Sequence, residues 1–300
     1  MRLVFVGECM VELAPDGDRL RRGFAGDTFN MAWYARRLCP GDWAVDYVTA
    51  IGTDAISDEM AAFIAASGIG TAHVQRREDR TVGLYLISLS DGERSFSYWR
   101  GQSAARLLAA DRTALDRAFA GADIVCLSGI TVAVLEDPGR DTLAAALADY
   151  RAGGGSVVFD PNIRPRLWHD AATMRAVLTR FAGLSDVVLA SFEDEASHFG
   201  DADPAATVAR YRATGAPCVV VKDGANPIHA TEVGRDTTVS PDPVRTVVDS
   251  TAAGDSFNAA YLVGLLSGAD MSARLTAGAA LSRRVIQQRG ALSDAAVDGM

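Results

Sequence analysis

Short runs of consecutive apolar residues alternate along the chain with longer segments in which apolar positions recur every three to four residues. Strands that are apolar at consecutive positions are typical of a parallel sheet buried on both faces. The runs predict strands at 3–6, 124–127, 157–159, 187–189 and 219–221. The longer segments predict helices over about 28–39, 54–67, 137–152, 171–182, 204–214, 254–267 and 271–288. This alternation predicts an α/β fold with a doubly wound, mostly parallel sheet flanked by helices.

One region departs from this pattern. Two segments with strand-like alternation, 82–89 and 94–99, flank an Asp-Gly pair at 91–92, which is a strong hairpin signal. Because side chains alternate between the faces of a strand, Tyr98 and Arg100 share one face. That face either binds a ligand or belongs to an ordinary amphipathic strand, and the pattern alone fits both interpretations equally well.

Composition narrows the class of protein. The 300 residues are 49% hydrophobic and 22% charged, which is typical of a folded chain and excludes disorder as its main state. The longest uncharged stretch, 60–75, is interrupted by glycines and is shorter than a membrane span of ~20 residues. The net charge of −9 argues against nucleic acid and anionic lipid as partners. With no signal peptide and four scattered cysteines, we expect a cytoplasmic protein with reduced thiols.

The segment 249–257, Asp-Ser-Thr-Ala-Ala-Gly-Asp-Ser-Phe, carries the clearest chemistry. It runs into a helical stripe of apolar residues, so Ala252, Ala253 and Gly254 lie at a helix N-terminus, where unpaired N–H groups bind anions. Asp255 is unexpected there, because a carboxylate repels phosphate. It either caps the helix or accepts a proton from a hydroxyl that attacks phosphorus, and the segment alone favours the cap.

The same segment resembles the C-terminal signature of the PfkB (ribokinase-like) carbohydrate kinases, and 26–30, Gly-Asp-Thr-Phe-Asn, resembles the sugar-binding segment of that family. The order of segments agrees over essentially the whole chain, which favours the base over the cap for Asp255. The resemblance implies one kinase domain over 1–300 with a small β lid formed by about 10–25 and 80–104. It also implies ATP and Mg²⁺ as cofactors, with a monovalent cation near Asp249 and Thr251 in some relatives.

Within the family, the segments 7–12, 22–28, 98–100 and 160–168 are similar to the members that phosphorylate 2-keto-3-deoxygluconate. This similarity implies transfer of the ATP γ-phosphate to the 6-hydroxyl of that sugar acid (2-dehydro-3-deoxy-D-gluconate). A physical argument agrees with it, because the carboxylate of a keto acid needs a dedicated cation in a chain of charge −9. Arg100 is the best candidate for that cation.

The resemblance also implies roles for individual residues. Asp255 would be the general base, and the anion hole would be formed by Ala252, Ala253 and Gly254, with the Asp255 amide. The residues expected to bind the substrate are Gly26, Asp27, Asn30, Tyr85, Tyr98, Arg100 and Arg164. Those expected to bind ATP are Asn162, Arg164, Lys222, Gly224, Ala253 and Gly254. Glu195 would orient the waters of the metal, as the acidic end of the family's Asn-x-x-Glu motif.

Two departures from the family pattern bear on these roles. Phe192 stands where many members have the Asn of that motif, so Glu195 is either a residue of the metal site or one exposed acid among three. The nucleotide segment 222–227 lacks a glycine that is commonly present.

Several functions compete with the sugar-acid kinase. The nearest alternative is a family member that acts on 2-keto-3-deoxygalactonate, fructose or ribose, and a less favoured one is a non-catalytic sugar-binding regulator. A nicotinamide-dependent dehydrogenase fits poorly, because the first strand is followed by Gly7-Glu8-Cys9-Met10 rather than by a Gly-x-Gly-x-x-Gly turn. The sequence leaves the oligomeric state open, and Trp99, on the outer face of the predicted lid, is compatible with a homo-oligomer formed through the lid.

Overall fold

The computed structural model describes residues 1–90 and 93–299, which form a large sheet covered by helices on both faces and a small sheet beside it. The strands are β1 Arg2–Val6, β2 Met10–Asp16, β3 Arg19–Ala25, β4 Ala44–Gly52, β5 Val74–Arg77, β6 Leu84–Ser90, β7 Glu93–Trp99, β8 Ile124–Ser128, β9 Ser156–Asp160, β10 Val187–Ser191, β11 Cys218–Lys222, β12 Ile228–Glu232 and β13 Arg235–Val239. The helices are α1 Asp27–Leu38, α2 Ala55–Ala66, α3 Arg112–Phe119, α4 Gly129–Val134, α5 Asp137–Ala152, α6 Ala171–Gly183, α7 Phe192–Phe199, α8 Pro204–Ala213, α9 Ala253–Leu266, α10 Met271–Val285 and α11 Asp294–Val297. Two short 3₁₀ segments, Ala104–Leu107 and Pro165–Leu167, complete the described elements.

The large sheet has the strand order β13-β12-β11-β10-β9-β8-β1-β4-β5. The seven strands from β11 to β5 are parallel, and β12 and β13 extend the β11 edge as antiparallel strands. All five strands predicted from apolar runs lie in its parallel part, and the seven predicted helices are present within a few residues of the expected bounds. The doubly wound, mostly parallel fold is therefore confirmed.

Apolar side chains of the large sheet form one core on each face. In β1, Leu3 and Phe5 pack with α1, α9 and α10, whereas Val4 and Val6 point to the opposite side and pack with α5, α6 and α8. This alternation explains why a run of consecutive apolar residues is needed in each central strand. No helix in the described part of the chain is long and apolar enough to cross a membrane.

The small sheet has the order β3-β2-β6-β7 and is formed by 10–25 and 84–99. Strands β6 and β7 pair antiparallel, as the hairpin signal predicts, and their register places Tyr85 opposite Tyr98, while the Asp-Gly pair at 91–92 lies outside the described residues. Tyr98 lies on the inner face, which is turned toward the large sheet, and Trp99 lies on the outer face. The small sheet therefore forms one wall of the space above the carboxyl ends of the parallel strands.

Candidate active site

A cavity of about 970 Å³ lies between the carboxyl ends of the central strands and the inner face of the small sheet. Thirteen of the residues singled out from the sequence line it: Gly26, Asp27, Asn30, Tyr85, Tyr98, Arg100, Asn162, Arg164, Lys222, Ala252, Ala253, Gly254 and Asp255. Segments from distant parts of the chain meet here because parallel strands end at a common edge of the sheet, where open α/β folds bind ligands.

Helix α9 begins at the cavity in a conformation that exposes its first amides. Ala252 has a left-handed backbone with φ of +61°, and its carbonyl accepts the first helical hydrogen bond, from the Ser256 N–H at 2.9 Å. The N–H groups of Gly254 and Asp255 lie in the first turn and have no carbonyl four residues earlier within the helix. The Ala253 N–H donates instead to the Ser250 carbonyl at 3.2 Å, so it is not available in this structure for the anion hole expected of it.

Asp255 faces the cavity from the first turn of α9, and its Oδ2 accepts a hydrogen bond from Asn30 Nδ2 at 2.8 Å. Burial and the nearby Asp27 carboxylate together raise the pKa of Asp255 to about 8, while the Asn30 hydrogen bond opposes this change. The N-cap position of α9 is occupied by Ala252 and not by Asp255. The Asp255 carboxylate is instead engaged by the Asn30 side chain. A carboxyl of raised pKa in a cavity is suited to proton transfer.

Asp27 and Asn162 form a second contact across the cavity floor. Asp27 Oδ2 accepts a hydrogen bond from Asn162 Nδ2 at 2.8 Å, and Asp27 Oδ1 accepts one from the Thr28 N–H at 2.8 Å. Asn162 has a left-handed backbone with φ of +32°, which is uncommon for a residue other than glycine and costs conformational energy. The turn after β9 is therefore held in a strained conformation that brings Asn162 to the start of α1.

Lys222, at the end of β11, is held by two residues that the sequence did not single out. Its Nζ donates to Asn258 Oδ1 at 2.9 Å and lies 3.5 Å from Asp160 Oδ2, while Asn258 Nδ2 donates to the same Asp160 oxygen at 2.5 Å. A Cβ on Gly254 would lie 3.7 Å from Lys222 Nζ, so the ammonium adjoins the exposed amides of α9. Lys222 and the α9 amides therefore lie together at this end of the cavity, beside the Asp160 and Asp255 carboxyl groups.

The opposite wall belongs to the small sheet. Tyr85 donates to Glu12 Oε2 at 2.5 Å, and the Tyr98 ring stacks on Phe96 with centroids 6.3 Å apart. Arg100 lies in the same wall and forms an ion pair with Glu8, a buried residue that follows β1. Neither Glu8 nor Glu12 was singled out from the sequence as a site residue, and the local sequence around them contains no signal of these contacts.

Two predicted residues do not line the cavity. Gly224 lies in the turn between β11 and β12. Glu195 is fully buried in α7, where it accepts hydrogen bonds from Arg210 at 2.7 Å and Tyr211 at 2.9 Å. Burial raises the pKa of Glu195 to about 7, although the Arg210 guanidinium opposes this. The expectation that Glu195 faces a metal in the cavity is not supported, since its carboxylate is enclosed and engaged.

Two residues in this part of the chain do line the cavity: Ser191, which directly precedes α7, and Asp194, in its first turn. They have the spacing of the predicted motif but begin one position earlier than Phe192 and Glu195. Burial raises the pKa of Asp194, while Arg164, whose Nη1 lies 3.3 Å from Asp194 Oδ2, opposes this change. The sequence did not show which of the three consecutive acidic residues, Glu193, Asp194 and Glu195, lies at the cavity.

The comparisons with known proteins agree with this geometry. Residues 2–297 match the family model described as pfkB family carbohydrate kinase. The chain is 37% identical to 2-dehydro-3-deoxygluconokinase of Escherichia coli K12 over 298 residues, and 38% identical to the protein of the same name from Dickeya dadantii over 297 residues, which in both cases is 97% of this chain and 96% of the relative. A crystal structure of fructokinase with bound ATP from Xylella fastidiosa superimposes with a TM-score of 0.84 and 25% identity over 97% of this chain and 93% of that one. The chain belongs to the pfkB family of carbohydrate kinases.

Proposed function

We propose that this protein transfers the γ-phosphate of ATP to the 6-hydroxyl of 2-dehydro-3-deoxy-D-gluconate. One observation carries the proposal: a single cavity has a carboxyl group and exposed amides at one end and an arginine at the other. The first end is suited to phosphoryl transfer and the second to the carboxylate of a sugar acid. The two relatives named 2-dehydro-3-deoxygluconokinase, at 37–38% identity, support this substrate over the fructose of the more distant fructokinase.

In this mechanism the sugar acid lies with its carboxylate at Arg100 and its 6-hydroxyl at Asp255. Asp255, once ionised, accepts the hydroxyl proton as the oxygen attacks the γ-phosphorus. The amides of Gly254 and Asp255 and the Lys222 ammonium stabilise the negative charge on the transferring group, because they already lie together at the cavity before the substrate binds. Asn30 keeps the Asp255 carboxylate oriented through its hydrogen bond.

Mg²⁺ is expected on the phosphates of ATP, where it would neutralise charge. The described residues contain no cluster of three or more His, Cys, Asp or Glu side chains that would hold a metal by themselves. This donor set fits Mg²⁺, which is commonly held by one or two carboxylates together with phosphates and water. Asp194, which lines the cavity beside Arg164, is the residue of α7 that we propose for this role in place of Glu195.

Two further proposals concern the surroundings of the site. Asp249 and Thr251 lie just before α9, where the Thr251 Oγ1 donates to Asp249 Oδ1 at 2.7 Å, and a monovalent cation bound near them stays a prediction. The described cysteines, Cys9, Cys39, Cys126 and Cys218, are buried free thiols, which supports a cytoplasmic location.

A substrate panel tests the proposed function. ADP release would be measured with 2-dehydro-3-deoxygluconate, 2-dehydro-3-deoxygalactonate, fructose and ribose under identical conditions. We expect kcat/KM for 2-dehydro-3-deoxygluconate to exceed the values for the two neutral sugars by roughly 100-fold or more, since a site arginine left without its carboxylate loses a charge-assisted contact.

A higher kcat/KM for fructose or ribose would contradict the sugar-acid assignment and favour the neutral-sugar alternative. Preference for the galactonate epimer would leave the class of substrate correct and change the substrate. Sugar binding with no ADP release from any of the four would support the regulator.

A further inference from the structure

The pair formed by Glu8 and Arg100 is unusual for an ion pair at a ligand cavity. Arg100 Nη2 donates to Glu8 Oε2, and both residues line the cavity, yet the Glu8 side chain is only 1% exposed and that of Arg100 only 10%. A buried ion pair carries a large desolvation cost, which is offset only when its remaining donors and acceptors are also satisfied.

These remaining atoms are not satisfied. Within the described part of the chain, Glu8 Oε1 and Arg100 Nε are both buried and have no hydrogen-bond partner. Gly83 packs directly against the unpartnered oxygen, because a Cβ at this position would lie 2.7 Å from Glu8 Oε1. The arrangement is therefore poor as a source of stability, since two apolar side chains would fill the same space without this cost.

The pair does fix the direction of the guanidinium. Arg100 directly follows β7, which is an edge strand of the small sheet, whereas Glu8 follows β1 in the middle of the large sheet. One Nη2 hydrogen bond to Glu8 leaves the Nη1 group and the second Nη2 hydrogen for another acceptor. Since Arg100 lines the cavity, these donors can reach a ligand bound there.

We propose that Glu8 is a positioning residue that determines specificity for acidic sugars by holding Arg100 in the orientation that binds the substrate carboxylate. This inference rests on the proposed function and extends it from Arg100 to the residue behind it. We infer that Glu8 acts through Arg100, because its Oε2 accepts from the Arg100 guanidinium and its side chain is only 1% exposed.

The test compares two substitutions of similar length. Glu8→Gln keeps an acceptor oxygen opposite Arg100, whereas Glu8→Met fills the space without one. We expect Glu8→Met to raise KM for 2-dehydro-3-deoxygluconate roughly tenfold, the equivalent of one lost charge-assisted hydrogen bond, with kcat changed less than about threefold. Glu8→Gln should keep KM within about threefold of the wild type. An equal rise of KM in both variants would overturn the proposal.

A double-mutant cycle with Arg100→Met separates positioning from a general structural role. If Glu8 acts through Arg100, the double variant Glu8→Met/Arg100→Met has the same KM for the sugar acid as Arg100→Met alone. A further tenfold rise in the double variant would overturn the proposal. The double variant leaves no unpaired charge, so its KM remains measurable if Glu8→Met alone does not fold, and Arg100→Met/Glu8→Gln serves as its reference if Arg100→Met alone does not fold.

Two controls complete the experiment. Glu232→Met removes the acidic partner of Arg274, a buried arginine outside the cavity whose Nη2 lies 2.7 Å from Glu232, and should leave KM for the sugar acid unchanged. KM for a neutral sugar should not rise in Glu8→Met, and an equal rise for both kinds of sugar would contradict the inference. If the wild type does not phosphorylate any sugar acid, the proposed function fails, whereas a normal wild type with an additive cycle rejects only the role of Glu8.

Discussion

Asp255, the residue that we propose as the general base, lowers the stability of the fold near neutral pH. Its carboxyl lies in the cavity near the Asp27 and Asp160 carboxylates, while the Asn30 hydrogen bond and the Lys222 ammonium favour its ionised form. With a pKa of about 8 in the folded protein, it holds its proton at neutral pH, while in the unfolded chain it ionises near pH ~4. Folding therefore becomes less favourable as pH rises from about 4 to 8.

Asp255→Asn should inactivate the protein and stabilise it. The amide cannot accept the hydroxyl proton, so we expect kcat to fall by roughly 100- to 10,000-fold in the ADP-release assay. The amide also has no charge to desolvate, so Tm should exceed that of the wild type by about 2 °C or more at pH 8 and by much less at pH 4. Thermal unfolding followed by circular dichroism at both pH values provides the measurement.

The opposite pH trend, with the larger Tm gain at pH 4, would show that Asp255 has a lowered rather than a raised pKa. Wild-type turnover in the variant would remove the general base from the mechanism. The two readouts are independent, since the first concerns the empty cavity and the second the reacting complex.

At the scale of elements, the start of α1 depends on a close approach of two segments. Gly26 precedes the helix with an extended backbone, and a Cβ on it would lie 2.2 Å from the carbonyl oxygen of Glu8. Only glycine allows this contact without a shift of backbone, because the obstructing atom is itself part of the main chain. The helix carries Asp27 and Asn30 on its first two turns, so the approach also sets the distance from Asn30 to Asp255.

Gly26→Ala should therefore weaken both the fold and the site. We expect a loss of about 1–3 kcal/mol, typical of overpacking, which corresponds to a fall in Tm of several degrees. kcat should also fall, because α1 must move away from Glu8. Gly41→Ala is the matched control, since no atom lies within 4 Å of its added Cβ. Equal Tm values for the two variants would contradict this interpretation of Gly26.

Elements were predictable from the sequence where a pattern of apolar residues could be recognised within a short stretch of chain. The central strands are apolar at every position because both faces are buried, and this is visible locally. Strand β4 was missed because Asp46 interrupts its apolar pattern, and that carboxylate is accommodated by Arg2, whose Nε lies 2.6 Å away. Such a partner 44 residues distant cannot be read from the strand itself.

The same limit applies to the site. Cavity residues that belong to a recognisable motif were predicted from the sequence, whereas Glu8, Asp160 and Asn258 were assigned no role. Glu8 is paired with a residue 92 positions away, and Asn258 bonds Asp160 over 98 positions. These contacts depend on tertiary structure, so the supporting polar network became visible only in the folded chain.

At the scale of the whole molecule, the outer face of the small sheet carries Trp99, one of the exposed large apolar side chains among the described residues. Trp99, Leu84 and Val11 stand opposite one another across neighbouring strands. The Phe24 ring on β3 is covered by Phe63 of α2 at 5.4 Å, but Trp99 is 59% exposed. We propose that this face binds the same face of a second copy.

Trp99→Ser should then weaken self-association by about tenfold or more in Kd, because buried tryptophans dominate such interfaces. Sedimentation velocity over a dilution series from about 100 to 1 μM protein would measure it. Val233→Ser removes a more exposed apolar residue, from the turn after β12, and should leave association unchanged. A wild type that stays monomeric throughout the series would contradict the proposed interface.

The large sheet and the small sheet are in close contact around Glu8. Gly26 meets the Glu8 main chain, Gly83 meets its side chain, and a Cβ on Gly83 would also lie 3.2 Å from Arg100 Cβ. An alanine at either glycine would push the Glu8 segment and the small sheet apart, because each added Cβ would overlap an atom of Glu8. A change at this crossing would therefore displace Arg100, the proposed contact for the substrate carboxylate, together with the start of α1.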